Sequence, residues 1–199
     1  MLPRSARAAW RSLSSTSSCS RTRNRIEPNE REDSYSVNIR SYVASDWPAV
    51  WSILHATIRA GETYTFAPES TEPEIHRAWV EIPTATFVAC DLDGGVLGTY
   101  FIKPNQPGLG AHVCNCGYVV SSNANGRGIA SLMCEHSQRE AIVMGFRAMQ
   151  FNFVVSTNER AVRLWQKLGF SVVGRLPEAF EHPRFGYVDA LVMFKQLAT

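Results

Sequence analysis

Two groups of residues in this chain have types and spacings that could handle a small ligand. The first is Asn125-Gly126-Arg127-Gly128-Ile129-Ala130, which falls where an apolar run, Val113–Val120, gives way to a helical pattern starting near Gly128. Glycines at such a junction let the main chain turn sharply and approach an anion closely. The first N–H groups of a helix have no partner within it, and they sit at the positive end of its dipole. A pyrophosphate is the natural occupant. No Gly-Lys-Ser/Thr follows, so the stretch is not a P-loop. The strand before it is the fourth rather than the first of a βαβ repeat, so it is not a dinucleotide fingerprint either. On these residues alone the turn is either a seat for an anion or simply a turn.

The second group is Asn115 and Asn152, each inside an apolar run. Asparagine is a poor strand former. It offers donors and an acceptor without charge, which suits the orientation of a small zwitterion. The alternative is a strand asparagine satisfied by backbone. His112 could serve as a base through water, or be structural. Cys114 and Cys116 lie two apart in a strand and share a face. That is not the CxxC spacing of a zinc half-site, and no second half-site follows, so no metal is expected. The five cysteines read as free thiols rather than a disulfide framework.

The elements that must position these groups follow from periodicity and punctuation. Tyr35–Tyr42 reads as a first strand, then a helix entered near Pro48 with Val50, Trp51, Leu54 and Ile58 on one face and Gly61 as its stop. Thr71-Glu72-Pro73-Glu74 has the form of a capping box opening a second helix to about Ile82. Ala85–Cys90 and Val96–Ile102 are strands joined through Asp93-Gly94, a hairpin signal. Val113–Val120 is the fourth strand, followed by a helix to about Gly145. Ala148–Val155 is the fifth strand, and Asn158–Leu168 is a helix stopped by Gly169. Phe170–Val173 and Tyr187–Phe194 close the sheet. This order predicts an α/β (α+β) fold, a mixed sheet flanked by helices.

The chain has 199 residues, 45% hydrophobic and 19% charged, as a globular protein does. No apolar stretch approaches the ~20 residues needed to span a bilayer. Residues 1–26 hold six arginines, seven serines and no acid, which leaves 14 basic against 18 acidic residues elsewhere. A mildly acidic remainder argues against a nucleic-acid partner. The Arg- and Ser-rich start has the composition of a transit peptide for mitochondrial import, or is an N-terminal tail, in which case a cytoplasmic location is expected. Residues 1–34 are therefore set apart as leader or tail with linker, and 35–199 as the folded domain.

The turn at 125–130 resembles the Arg/Gln-x-x-Gly-x-Gly/Ala signature of GNAT acetyltransferases, with Gly128 and Ala130 in the last two slots and Asn125 departing from the first. Asn158-Glu-Arg-Ala161-Val-Arg-Leu164-Trp165-Gln-Lys167-Leu-Gly169-Phe170 resembles that family's Asn-x-x-Ala-x-x-Leu-Tyr-x-Lys-x-Gly-Phe. The segments Gly98–Asn105, His112–Val120 and Phe151–Asn158 are similar to the fungal acetyltransferases that detoxify proline analogues such as azetidine-2-carboxylate. The resemblance implies a mostly antiparallel sheet splayed between strands four and five, with about four flanking helices. It implies acetyl-CoA as co-substrate and a small amine as acceptor, and a homodimer. Coenzyme contacts would come from Val119, Val120, Asn125, Gly126, Arg127, Gly128, Ile129, Ala130 and Asn158. Asn115, Asn152, the backbone of Phe153, and the walls Tyr64 and Tyr118 would hold the acceptor. Asn152 and Asn158 would stand nearest the chemistry, with a strand-four N–H near Tyr118 or Val119 on the thioester oxygen. Trp165 stands where many of these enzymes place a tyrosine acid, and indole cannot serve as one. Another small amine, an aminoglycoside or a protein N-terminus as acceptor remains open, as does a non-catalytic acyl-CoA sensor.

Overall fold

A computed structural model describes residues 37–197. The expected leader, and Tyr35 and Ser36 of the first strand, lie outside the described residues. The elements are β1 (Asn38–Ser41), α1 (Trp47–Ala60), α2 (Glu72–His76), β2 (Ala85–Cys90), β3 (Val96–Pro104), β4 (Val113–Val120), α3 (Ile129–Val143), β5 (Ala148–Val155), α4 (Glu159–Lys167), β6 (Ser171–His182) and β7 (Gly186–Gln196). The strands form one sheet in the order β1-β2-β3-β4-β5-β7-β6. All pairs are antiparallel except β4–β5, which is parallel.

Period-two alternation sends side chains to two faces, and each face has its own core. On one, Phe101 and Val119 pack with Val50, Leu54 and Ile58 of α1 and with Trp79. On the other, Tyr100, Cys114, Cys116 and Phe151 pack with Ile129 and Met133 of α3 and Trp165 of α4. The described cysteines, Cys90, Cys114, Cys116 and Cys134, are free and buried in these cores. Among the described residues no group of acids, histidines and cysteines could hold a metal, and no helix is long and apolar enough to cross a membrane.

Several local signals act as their residue types dictate. Gly61 takes a left-handed φ of 65° and ends α1. Glu74 accepts from the Thr71 N–H at 2.8 Å and starts α2. The second helix changes character after His76: Arg77–Glu81 is a π turn, closed by Ile82 N–H to the Arg77 carbonyl at 2.9 Å. That turn seats Trp79, whose indole N–H reaches Thr99 at 3.1 Å inside the core. The closing hairpin is longer than its sequence pattern shows. Pro177 breaks the alternation in β6, and the register shifts between Leu176 and Phe180. Asp189 of β7 stabilises that irregular stretch by accepting from the Glu178 N–H at 2.9 Å and from Arg175.

Candidate active site

β4 and β5 pair only at Val113–Ala148 and Cys114–Met149, and then part. Two local features mark the place where they part. On its other edge β5 pairs Phe151 with Met193 and next Val154 with Leu191, so Asn152 and Phe153 together face one residue of β7. Such a bulge bends the strand. At the parting point the Asn115 amide donates to the Gln150 carbonyl at 2.8 Å, filling the place of a further strand N–H. Beyond it opens a cavity of about 520 Å³.

The cavity faces open backbone donors. Asn105 N–H bonds to the Val113 carbonyl and Ser121 N–H to the Leu97 carbonyl, each at 2.8 Å. In an antiparallel ladder such bonds recur at every second residue. Odd-numbered residues of β4 therefore bond to β3, while the N–H groups of Tyr118 and Val120 point toward the gap. Of the two donors expected for an acyl oxygen, the one at Tyr118 is open, whereas that of Val119 belongs to the β3 ladder beside Thr99.

The turn into α3 continues this line of donors. Gly126 and Gly128 have φ of 82° and 77°, and nothing lies within 4 Å of where a Cβ would stand on either. The left-handed backbone, not crowding, calls for glycine there, and it leaves open space above the turn. The first bond of α3 runs from Leu132 N–H to the Gly128 carbonyl at 3.1 Å. The N–H groups of Ile129, Ala130 and Ser131 precede it and have no helical partner. Asn125 lines the cavity, and Arg127 is half-buried beside it. These features match what a pyrophosphate needs, so the residues present fit a coenzyme of that kind.

The expected acceptor residues converge on the same cavity. Tyr64, in the loop after α1, donates its hydroxyl to the Tyr118 carbonyl at 3.0 Å. Burial pushes its phenol well above the usual tyrosine range. The Tyr118 ring packs 5.1 Å from Trp165 and 5.8 Å from Phe151. Its hydroxyl, 2.7 Å from Ser137 Oγ, points toward α3, so only its ring and backbone are offered to a ligand. Asn152 is exposed at the bulge, where Gln150 Nε2 donates to its Oδ1 at 2.7 Å and it donates to Asn105 Oδ1 at 2.6 Å. Phe153 is half-buried beside it, its ring 6.2 Å from Phe180. Asn158 caps α4 by accepting from the Ala161 N–H at 3.2 Å, which commits its oxygen and leaves its amide donors for the cavity. His112 is not among the lining residues; its Nδ1 lies 3.2 Å from the Leu109 carbonyl.

The sequence did not single out Asn105, Gln150, Lys103, Thr63, Thr65 or Phe66. All but Asn105 and Gln150 line the cavity, and those two brace Asn152. Only cross-strand register brings Lys103 and Asn105 to this site, so no short-range signal could reveal them. Among the described residues the lining contains no aspartate, glutamate, histidine or arginine. Glu62, one of the two acids of the neighbouring loop with Glu69, pairs with Arg184 at 2.9 Å.

Residues 47–170 match the model of the acetyltransferase (GNAT) family. The chain is 34% identical over 111 residues to the N-acetyltransferase aca1 of Schizosaccharomyces pombe, covering 55% of this chain and 53% of that one, so it spans about half the length of that relative. A GCN5-related N-acetyltransferase from Kribbella flavida superposes with a TM-score of 0.78 at 44% identity, over 81% of this chain and 98% of that chain. A phosphinothricin acetyltransferase from Sinorhizobium meliloti, solved in complex with acetyl-CoA, shares the fold at a TM-score of 0.72 and 19% identity, over 81% and 89% of the two chains. The splayed strands, the open β4 donors and the glycine turn thus stand in a chain that belongs to the acetyltransferase (GNAT) family.

Proposed function

We propose that this protein transfers the acetyl group of acetyl-CoA to the nitrogen of a small amine, a proline-like imino acid such as azetidine-2-carboxylate, and so detoxifies it. The observation that carries this reading is the β4–β5 gap, with open backbone donors and Asn115 on β4 and Asn152 on β5. The coenzyme supplies an activated acyl thioester. The chain's part is to hold the acceptor nitrogen beside it, to offer the Tyr118 N–H to a developing negative oxygen, and to exclude bulk water with Tyr64, Phe66 and Trp165. Among the described residues no carboxylate or imidazole lines the cavity, and in this reading the acceptor's proton leaves to water rather than to a side-chain base. The same lack of acid disfavours a polycationic aminoglycoside as acceptor.

The test mixes purified protein with acetyl-CoA and L-azetidine-2-carboxylate and follows free thiol. Release that needs both substrates supports the assignment. Tight coenzyme binding with no release for any amine would mark the protein as an acyl-CoA sensor instead. Two further parts of this reading rest on composition and resemblance: mitochondrial import behind residues 1–34, leaving 35–199 as the mature domain, and a homodimer. Sequencing the mature N-terminus tests the first, and the mass in solution tests the second.

A further inference from the structure

Lys103 is the one charged side chain among the described residues lining the cavity. It takes part in none of the ion pairs formed among those residues. A cation with no counter-charge among the described residues, placed in a ligand cavity, calls for an anion from the ligand. We propose that Lys103 selects the acceptor by pairing with a carboxylate carried by the molecule to be acetylated. The inference rests on the acyl-transfer reading above and adds to it the residue that reads the acid group.

The placement comes from register. Lys103 of β3 stands directly opposite Asn115 of β4, and the next same-face pair is Phe101 opposite Gly117. Directly opposed residues share a face with Cβ atoms ~5 Å apart. Lys103 and Asn115 therefore stand side by side on the α1 face of the sheet, where Tyr64 forms the wall. The Lys103 ammonium lies 5.4 Å from the centre of the Phe101 ring, a contact that holds it toward the cavity.

The asparagines leave this task to the lysine. The partner of Asn115 is a carbonyl, which can only accept, so its amide orientation is settled: Nδ2 on Gln150, Oδ1 left for the ligand. An amide oxygen suits the N–H of an amine and repels a carboxylate. Asn152 has both its oxygen and one donor engaged, by Gln150 and Asn105. An acceptor whose nitrogen meets Asn115 and whose carboxylate meets Lys103 must carry the two groups close together. In an α-amino or α-imino acid they share one carbon, which fits neighbouring residues on paired strands.

The experiment measures kcat/KM for L-azetidine-2-carboxylate and for its carboxamide, in wild type, Lys103→Met and Lys103→Glu. Thermal melting and acetyl-CoA binding confirm that each variant is folded. Wild type should favour the acid by roughly tenfold to a hundredfold, the range for a hydrogen bond to a charged group. Lys103→Met should remove that preference mainly through a raised KM for the acid, and Lys103→Glu should invert it. A preference that survives in Lys103→Met overturns the proposal. Calorimetric binding of acid and carboxamide to the CoA-loaded proteins is read in parallel. If no acetyl is transferred, the acyl-transfer reading fails. In that case loss of the acid's binding advantage in Lys103→Met still supports the carboxylate contact, and its persistence refutes it.

Discussion

Gly117→Ala is the sharpest test of how the acceptor wall is built. A Cβ on residue 117 would stand 2.6 Å from Phe101 Cε1, 3.0 Å from its Cζ and 3.2 Å from Tyr64 Oη. Ordinary carbon contacts are ~3.5 Å or longer, so the ring edge must retreat by nearly 1 Å. It has little room, because Phe101 is buried edge-on against Trp79 at a centroid distance of 4.9 Å. Overpacking of this kind costs about 1–3 kcal/mol. In a chain of this size that lowers Tm by roughly 2–10 °C. The same push loosens the Tyr64 hydroxyl from the Tyr118 carbonyl, and with it the backbone beside the open donor. A displacement near 1 Å at a reacting centre can cost up to about a hundredfold. Differential scanning fluorimetry and steady-state kinetics should therefore show a lower Tm and at least about tenfold lower kcat/KM for the acceptor. Coenzyme affinity should stay within about threefold, since residues 125–131 are untouched. An unchanged Tm together with unchanged acceptor kinetics would refute the close packing of Phe101 and Tyr64 on Gly117.

Other consequences can be checked with the same assays. Asn115→Ala strips the Gln150 carbonyl of its donor where the strands part, and should lower turnover at least about tenfold while costing only about 1–3 kcal/mol of stability; near-wild-type kinetics would remove Asn115 from the site. Among the described residues no carboxylate or imidazole lines the cavity, and burial pushes the Tyr64 and Tyr118 phenols and the Cys116 thiol upward, away from neutrality. The kcat/KM profile should thus rise with pH toward the acceptor's own pKa and shift when an amine of different pKa is used; an inflexion that stays fixed across amines would point to an enzyme base. Asp46 is held below the usual carboxylate range by its paired bonds to Arg40, both 2.7 Å, and by the Val43 N–H. Its folded-state pKa is the lower one, so its stabilisation is complete above about pH 4 and drains as pH falls below that. Asp46→Asn should lower stability at neutral pH and flatten the acid limb of a Tm-versus-pH curve.

The residues that act through short range were legible in the chain. Gly126 and Gly128 mark a left-handed turn because other residues strain there, and Thr71 with Glu74 marks a helix start because three residues bring donor to acceptor. Such local marks, set out in order along the chain, gave a mixed sheet flanked by helices, and the resemblance of residues 125–130 and 158–170 to the family's motifs implied the rest of the fold. The gap between β4 and β5 was expected from the resemblance, but the local features that mark it were not. It goes with a bulge visible only when β5 is laid against β7, and with an asparagine that takes the place of a strand N–H on the Gln150 carbonyl. The roles of the polar side chains were also decided in three dimensions. Asn158 spends its oxygen on a helix cap, Tyr118 turns its hydroxyl away from the ligand, and Lys103 meets Asn115 across a ladder joining residues 12 positions apart. Periodicity tells which face a strand residue takes, but not which residue stands opposite. Register is set by the whole sheet, and here it is what brings a lone cation to the parted strands.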